Sequence, residues 1–298
     1  MGAALLLLGC VVAGVAVQRA RSSERLREAT WIAYFWTIAP VLVYVVFRTV
    51  DVDRNLLLAL GAAIAATWIV AVLSYAYAML VSTSRDERGA LALAAACPNT
   101  GFLGFPMAQL AFGSHGLQLA VLYDQLSWLV PATAVTTTVA RTHGRRAGEA
   151  ERPLRALLVN PPLVAMVVAL VLRAAGWDLP LVDHLGTATS KAVGPVGFFL
   201  LGLSLPLEPP AHAGPELRRA GGALLIRFAG GPLVLYGVGK ILGADVPGAF
   251  YLLAGMPCAF HLLILARVYD MRPALMRLLV VGSTVPAVVA VVLVAGLH

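Results

Sequence analysis

Residues 90–113 read ALALAAACPNTGFLGFPMAQLAFG, an apolar run interrupted by Pro98-Asn99-Thr100-Gly101. A second run, 248–271, reads GAFYLLAGMPCAFHLLILARVYDM and is interrupted at Pro257. Pro98 stands nine residues after Gly89, and Pro257 stands nine after Gly248, so the two prolines fall at matching depth. Proline removes a donor and its ring collides with the preceding turn, leaving carbonyls without partners. In hydrocarbon such carbonyls are tolerated only where protein or a wet cavity satisfies them. Either run alone would read equally well as a plain proline kink. Two at matched depth point instead to a binding site near the middle of a bilayer.

The rest of the chain supplies that bilayer context. Of its 298 residues 60% are hydrophobic and 12% charged, and the mean hydropathy is +0.85. Soluble domains carry about 25% charged residues. A water-solvated enzyme, a secreted disulfide scaffold, a nucleic-acid binder and a disordered tail are therefore excluded. Apolar windows between charged breaks give ten segments, about 2–17, 30–48, 55–81, 89–112, 116–140, 153–173, 186–206, 218–241, 248–268 and 274–297. Each is long enough to approach or cross a hydrocarbon core of about 30 Å. Cys10, Cys97 and Cys258 all lie inside apolar segments without metal-site spacing and read as small buried hydrophobes.

Charge in the loops orients the spans. The net charge of +7 comes from short interhelical loops, where topology explains it better than nucleic acid does. In the first segment Arg19, Arg21, Arg25 and Arg27 follow the apolar core. A cleaved signal peptide has its positive charge before the core, so an uncleaved helix with its N-terminus outside is expected. The alternating loops on the cytoplasmic side then hold those four with Arg85, Arg88, Arg141, Arg145, Arg146, Arg152, Arg155, Arg218, Arg219, Arg267, Arg272 and Arg277. The opposite side holds Arg48, Arg54, Arg173, Lys191 and Lys240. Sixteen against five fits ten spans with both termini on the non-cytoplasmic side of the cytoplasmic membrane.

The long polar connection near 141–152 divides the chain into 1–140 and 153–298, five spans each. Five is odd, so the second half enters the membrane in the opposite sense. An all-α polytopic protein built from two inverted five-helix repeats is the expected fold, and inverted repeats mark secondary transporters.

Charges at membrane depth are costly and default to functional candidates. Asp124 lies eight residues after Gly116, and Arg227 eight after Arg219. Each is about 12 Å deep at 1.5 Å per residue. Two readings stay open for both: a structural pin capped by carbonyls or by the other charge, or a working group. As working groups, Asp124 would accept a proton and Arg227 would face an anionic substrate. His261, one turn beyond Pro257, shares the face of the break and titrates near neutral pH, although a packing role is equally open. Behind the first break, Asn99, Thr100 and Gly101 combine polar groups with a flexible backbone. The positive N-terminal end of the following half-helix can face a carboxylate there. Gln125, Ser127 and Ser204 are polar enough to line a cavity but carry less weight.

Four stretches taken together resemble one family. CPNTGFLGFPMAQLAFG, NPPLVAMVVALVL at 160–172, LIRFAGGPLVL at 225–235 and MPCAFHLLILARVYDMRP at 256–273 are similar to the corresponding segments of the auxin efflux carriers. That family includes plant transporters and bacterial carriers of malate or malonate type. The resemblance implies an elevator-type fold akin to sodium/proton antiporters and bile-acid symporters, with the fourth and ninth helices crossing at their prolines. It implies a scaffold of spans 1, 2, 6 and 7 and a transport group of spans 3–5 and 8–10. It also places the substrate carboxylate beside the crossover, which here means Pro98, Asn99 and Thr100 with Pro257 on the other side; Gly101 and His261 join them as substrate-binding candidates from the residue reading above. Bacterial relatives often have Asn where His261 stands, and the long central domain of the plant proteins is absent, so plant auxin specificity is not carried over.

No Walker loop, H-E-x-x-H or G-x-S-x-G motif occurs, so neither an enzyme nor direct ATP drive is expected, and no cofactor is. The expected function is secondary active or facilitative transport of a small organic anion, a mono- or dicarboxylate. Its expected partners are that anion, H+ or Na+ as coupling ion, the lipid bilayer and, by analogy with similar transporters, a second copy in a homodimer. A sodium-coupled symporter and a non-transporting metabolite sensor are the competing readings.

Overall fold

Every element among the described residues of the computed structural model is helical, and the single β-type pairing is an isolated antiparallel bridge between Pro98 and Cys258. The structure describes residues 2–20, 24–145, 158–177, 180–205 and 215–296. Most of the expected linker, with Arg146 and Arg152, lies outside the described residues, as do Arg21, Arg155 and the opening of the sixth segment.

Helix α1 spans Gly2–Ala20. Helix α2, Glu24–Ala33, continues through a π-helical turn at Tyr34–Ile38 into α3, Ala39–Thr49. Asp53 starts α4, Arg54–Val81, by accepting the Leu56 N–H at 2.7 Å, the ordinary way a carboxylate satisfies an orphan donor of the first turn. Helix α5, Arg85–Ala96, stops at Cys97, and the chain resumes as a π-helical turn at Thr100–Gly104 leading into α6, Phe105–Leu122. Within α6 the helix bends at Gly113, whose φ of 68° suits a residue without a Cβ. A further π-helical turn at Tyr123–Trp128 joins α7, Leu129–His143.

The described residues beyond α7 are helical as well. Helices α8, Pro161–Ala175, and α9, Pro180–Ser204, precede α10, Pro215–Leu225. A π-helical turn at Ile226–Gly230 leads to α11, Gly231–Leu242. Helix α12, Gly248–Ala254, ends before Pro257; α13, His261–Val268, and α14, Pro273–Gly296, complete the chain.

Arg25–Thr49, Arg54–Val81 and Pro215–Leu242 are long and apolar enough to cross a membrane, and Leu5–Ala20, Pro161–Ala175 and Pro273–Val289 are shorter apolar helices. The interruptions leave α5, α12 and α13 too short to cross alone. Leu80 and Ile241, more than four-fifths exposed, stand on the outer surface with many other large apolar side chains. Such a surface belongs in lipid. This is a multi-pass membrane protein.

Packing gathers the helices around α5, where every residue from Ala90 to Ala96 is buried. Alanine lets neighbouring backbones approach closely, which is how helices associate where lipid is as apolar as leucine. Helix α4 lies along α5 and α11, and α7 along α5. Separately, α1 lies along α9, α3 along α8, and α9 along α3.

Ion pairs tie the ends of several helices together. At the start of α5 the Asp86 carboxylate meets Arg145 at 2.9 Å and Arg272 at 3.3 Å. Next to it Glu87 accepts from Arg219 at 2.6 Å and from the Ser82 hydroxyl at 2.8 Å. Burial works against the charge on Asp86, but Ser84, Arg272 and Arg145 outweigh it and hold the pKa below the ordinary carboxylate value.

Candidate functional site

The two interrupted helices meet at their breaks. The Asn99 N–H donates to the Pro257 carbonyl at 2.7 Å, and the Ala259 N–H donates to the Cys97 carbonyl at 2.9 Å. Each break thus supplies acceptors for donors of the other, and proline's local damage to two helices becomes a short two-way pairing. Cys258 reinforces it, its N–H donating to Ser283 Oγ at 3.1 Å and its thiol to the Ala94 carbonyl at 3.1 Å.

Four half-helix ends therefore converge. The carbonyl ends of α5 and α12 lie on one side, and Arg227 occupies it. Its Nη1 donates to the carbonyls of Ala95 at 3.1 Å and Ala96 at 2.8 Å, and its Nη2 to the carbonyl of Ala254. The side chain is 2% exposed. Arg227 is not joined to Asp124: its hydrogen bonds go to carbonyls, so of the two pinned arrangements expected from the sequence this is the carbonyl-capped one. The N-terminal ends of the other two half-helices begin at Thr100 and at His261.

Asp124 sits on the π-helical turn that follows α6 and is drawn to the first break. Its carboxylate accepts from the Thr100 hydroxyl and, at 2.8 Å, from Gln125 Nε2. Irregular π-turns inside helices frequently mark functional positions. Asn99 and Thr100 are both 2% exposed, and the Asn99 amide nitrogen has no hydrogen-bond partner among the described residues. Gly101 is held from outside, because the buried Tyr34 hydroxyl donates to its carbonyl at 2.9 Å. Phe102 rests against the rings of Tyr34 and Trp31, with centroids 4.7 and 4.8 Å apart.

His261 opens α13 just beyond the second break. It lines a cavity of about 470 Å³ between α1, α2 and α9 on one side and α13 and α14 on the other. Arg27, Trp31, Ser204, Arg267 and Arg277 share the walls, and Glu28 is the one acidic residue among them. Asn99, Thr100 and Asp124 do not line this cavity. The structure thus joins Asn99, Thr100, Gly101, Asp124 and Pro257 through one hydrogen-bonded region, and His261 contributes to the wall of the cavity. Tyr34 and Ser283 carried no distinguishing signal in the sequence, and Cys258, buried as expected, makes hydrogen bonds that its apolar setting did not announce. A tyrosine hydroxyl and a serine within apolar spans were the available signals, but neither says which backbone group it will meet. Among the described residues no cluster of His, Cys, Asp or Glu suits a metal ion.

Apolar helices interrupted in pairs and crossed at the interruptions define a membrane transport architecture. The family model described as "Membrane transport protein" matches residues 35–295. The chain belongs to that family, which is the auxin efflux carrier family whose segments it resembles. An uncharacterised transporter of Methanothermobacter thermautotrophicus is 26% identical over 221 residues, covering 73% of this chain and 70% of the relative. An uncharacterised transporter of Methanocaldococcus jannaschii is 28% identical over 151 residues, covering 48% of this chain and 46% of the relative.

Proposed function

We propose that this family member is a secondary transporter that moves a small organic anion, a mono- or dicarboxylate, across the cytoplasmic membrane by alternating access. The observation that carries the proposal is the reciprocal pairing of Asn99 with Pro257 and Ala259 with Cys97. It brings two pairs of oppositely charged helix ends to one place. Helix C-termini carry about half a negative charge and N-termini about half a positive one. With Arg227 on the negative ends, the positive ends at Thr100 and His261 are available to an anion. Asn99 adds a buried amide donor at the same joint.

Two inverted five-helix halves and ten spans with both termini outside complete the proposed topology. The packing of α1, α3, α8 and α9 as neighbours, and of α4, α5, α7 and α11 as another set, supports a scaffold and a moving group in the elevator manner. The cavity walled by Arg27, Arg267 and Arg277 is the anion's path from the cytoplasmic side, a reading supported by the excess of arginine in the loops expected there. Asp124, hydrogen-bonded to Thr100 beside the break, couples a proton to the anion.

The experiment is reconstitution in liposomes, with currents recorded on solid-supported membranes for malonate, succinate and acetate, with and without a pH gradient. Saturable currents are expected, and Asn99→Ala weakens them without loss of folding or insertion. Asp124→Asn abolishes their pH dependence. Retained pH dependence in Asp124→Asn refutes the proton-coupling role. Saturable binding without flux, electrical or radiolabelled, would favour a sensor instead.

A further inference from the structure

Arg227 holds a position that neither transport nor membership of the family assigns to it. A fully buried cation in an apolar bundle ordinarily takes a carboxylate partner. Arg227 instead takes three carbonyls from two chain segments: Ala95 and Ala96 at the end of α5, and Ala254 at the end of α12. The last carbonyls of a helix have no acceptor role inside it and carry its negative pole. Two such poles together amount to about one negative charge, so one guanidinium balances both. The planar fork of the guanidinium suits this task, because its two terminal nitrogens point to separate acceptors.

The surrounding backbone is shaped for the same contact. At Gly231, one turn beyond Arg227, an added Cβ would run into the Ala254 carbonyl and lie 2.7 Å from Arg227 Nη2. The small residue keeps α11 close enough for the side chain to reach both helix ends. Cys97 and Cys258 sit at this joint, both 0% exposed, while Cys10 lies on α1 and is partly exposed.

We propose that Arg227 is the positioning residue of the crossover: its guanidinium clamps the carbonyl ends of both interrupted helices so that the two breaks hold one geometry and move as one body. It does not serve as the counter-charge of the substrate. The clamp itself requires only the contacts above; its consequence for transport rests on the function proposed in the preceding subsection.

The native cysteines report on the clamp without any substrate. Purified protein in lipid nanodiscs is treated with N-ethylmaleimide, and the labelling of Cys10, Cys97 and Cys258 is followed by mass spectrometry. In the wild type Cys10 labels while Cys97 and Cys258 stay inert. In Arg227→Met both buried thiols label faster by about tenfold or more, as expected when a local opening is made easier, and Cys10 is unchanged. Arg227→Lys keeps the charge but offers a single point donor, so it restores inertness only partly. Gly231→Ala, which keeps the arginine residue but forces its guanidinium and the Ala254 carbonyl apart, gives the same pattern.

Inert thiols in both Arg227→Met and Gly231→Ala overturn the clamp, as does opening of only one of the two cysteines. Equal acceleration at Cys10 also overturns it, because the change is then global. Transport separates positioning from bare stability: in Arg227→Lys protein with wild-type melting, the half-saturating succinate or acetate concentration rises. An unaltered value with opened thiols removes the link to transport and leaves the clamp. Silence of the wild type in both the current assay and radiolabelled uptake refutes the transport reading, while the labelling result stands.

Discussion

Replacing Asp86 by Asn removes one negative charge from the ion-pair cluster at the start of α5 while keeping an acceptor for Ser84 and for the Glu87 N–H. The Asp86 side chain is 7% exposed, whereas its partners Arg145 and Arg272 are 66% and 36% exposed. Water screens these arginines, so each pair contributes about 0.2–1 kcal/mol. The favourable placement of a carboxylate in the first turn of a helix adds about 0.3–1 kcal/mol. Together these give a loss of about 0.7–3 kcal/mol, which lowers the melting temperature by roughly 2–4 °C for each kcal/mol. Tryptophan fluorescence during a thermal ramp in detergent measures it. The pH dependence is set by direction: Asp86 has a pKa below its ordinary value because the fold favours the charged form. Its contribution is complete above the unfolded-state value of 3.8 and is lost as the pH falls through the lower folded-state value. The difference between wild type and Asp86→Asn is therefore constant at neutral pH and closes in strong acid. A variant that melts with the wild type at pH 7, or a difference that persists unchanged in strong acid, would refute the reasoning.

Three further outcomes follow from other contacts. His143, bonded to the Arg85 carbonyl at 3.0 Å and to Tyr75 Oη at 3.2 Å, has its pKa lowered, first by burial. Its neutral form stabilises the fold above pH 6.5, and this is lost as the pH falls below that value. A His143→Gln variant should show a flatter melting profile over the acid side of neutrality, and a profile parallel to wild type would exclude the residue. At Gly14 on α1 a Cβ would meet the backbone of α9 at Leu203 N, 2.8 Å away. Because backbone yields little, Gly14→Ala should cost about 1–3 kcal/mol, read as lower melting with no change in substrate half-saturation. Tyr34→Phe removes the hydroxyl that holds the Gly101 carbonyl at 2.9 Å; it should lower stability by about 0.5–1.5 kcal/mol and slow transport, and unaltered currents would dissociate this bond from the cycle.

Much of the architecture was legible because its causes are local or compositional. Proline at 98 and 257 removes a backbone donor wherever it stands, although α9 and α14 carry Pro195 and Pro286 without stopping, and an apolar run must find lipid or protein. The π-helical turns at Tyr34–Ile38, Tyr123–Trp128 and Ile226–Gly230 were not legible, because a one-residue bulge in a helix barely alters the hydrophobic pattern that reveals it. Asp124 and Arg227 stood out by their charge, yet their partners did not. The Ala95 and Ala254 carbonyls lie 132 and 27 residues from Arg227, and every residue has a carbonyl, so no side-chain pattern marks the ones that will be used.

By itself the sequence determined that this chain lives in a membrane, that two of its helices are broken near Pro98 and Pro257, and that it carries the segments of a transporter family. These follow from side-chain hydrophobicity and from the missing N–H of proline, which act before any tertiary contact forms. Tertiary structure alone decided how the broken ends are used. Crossing them pairs Asn99 with Pro257, sets Asp124 against Thr100, directs Arg227 to two helix termini and places His261 in the wall of a cavity. The physical reason is that unpaired backbone groups in hydrocarbon must find partners, and which partners they find depends on which distant segments the packing brings alongside.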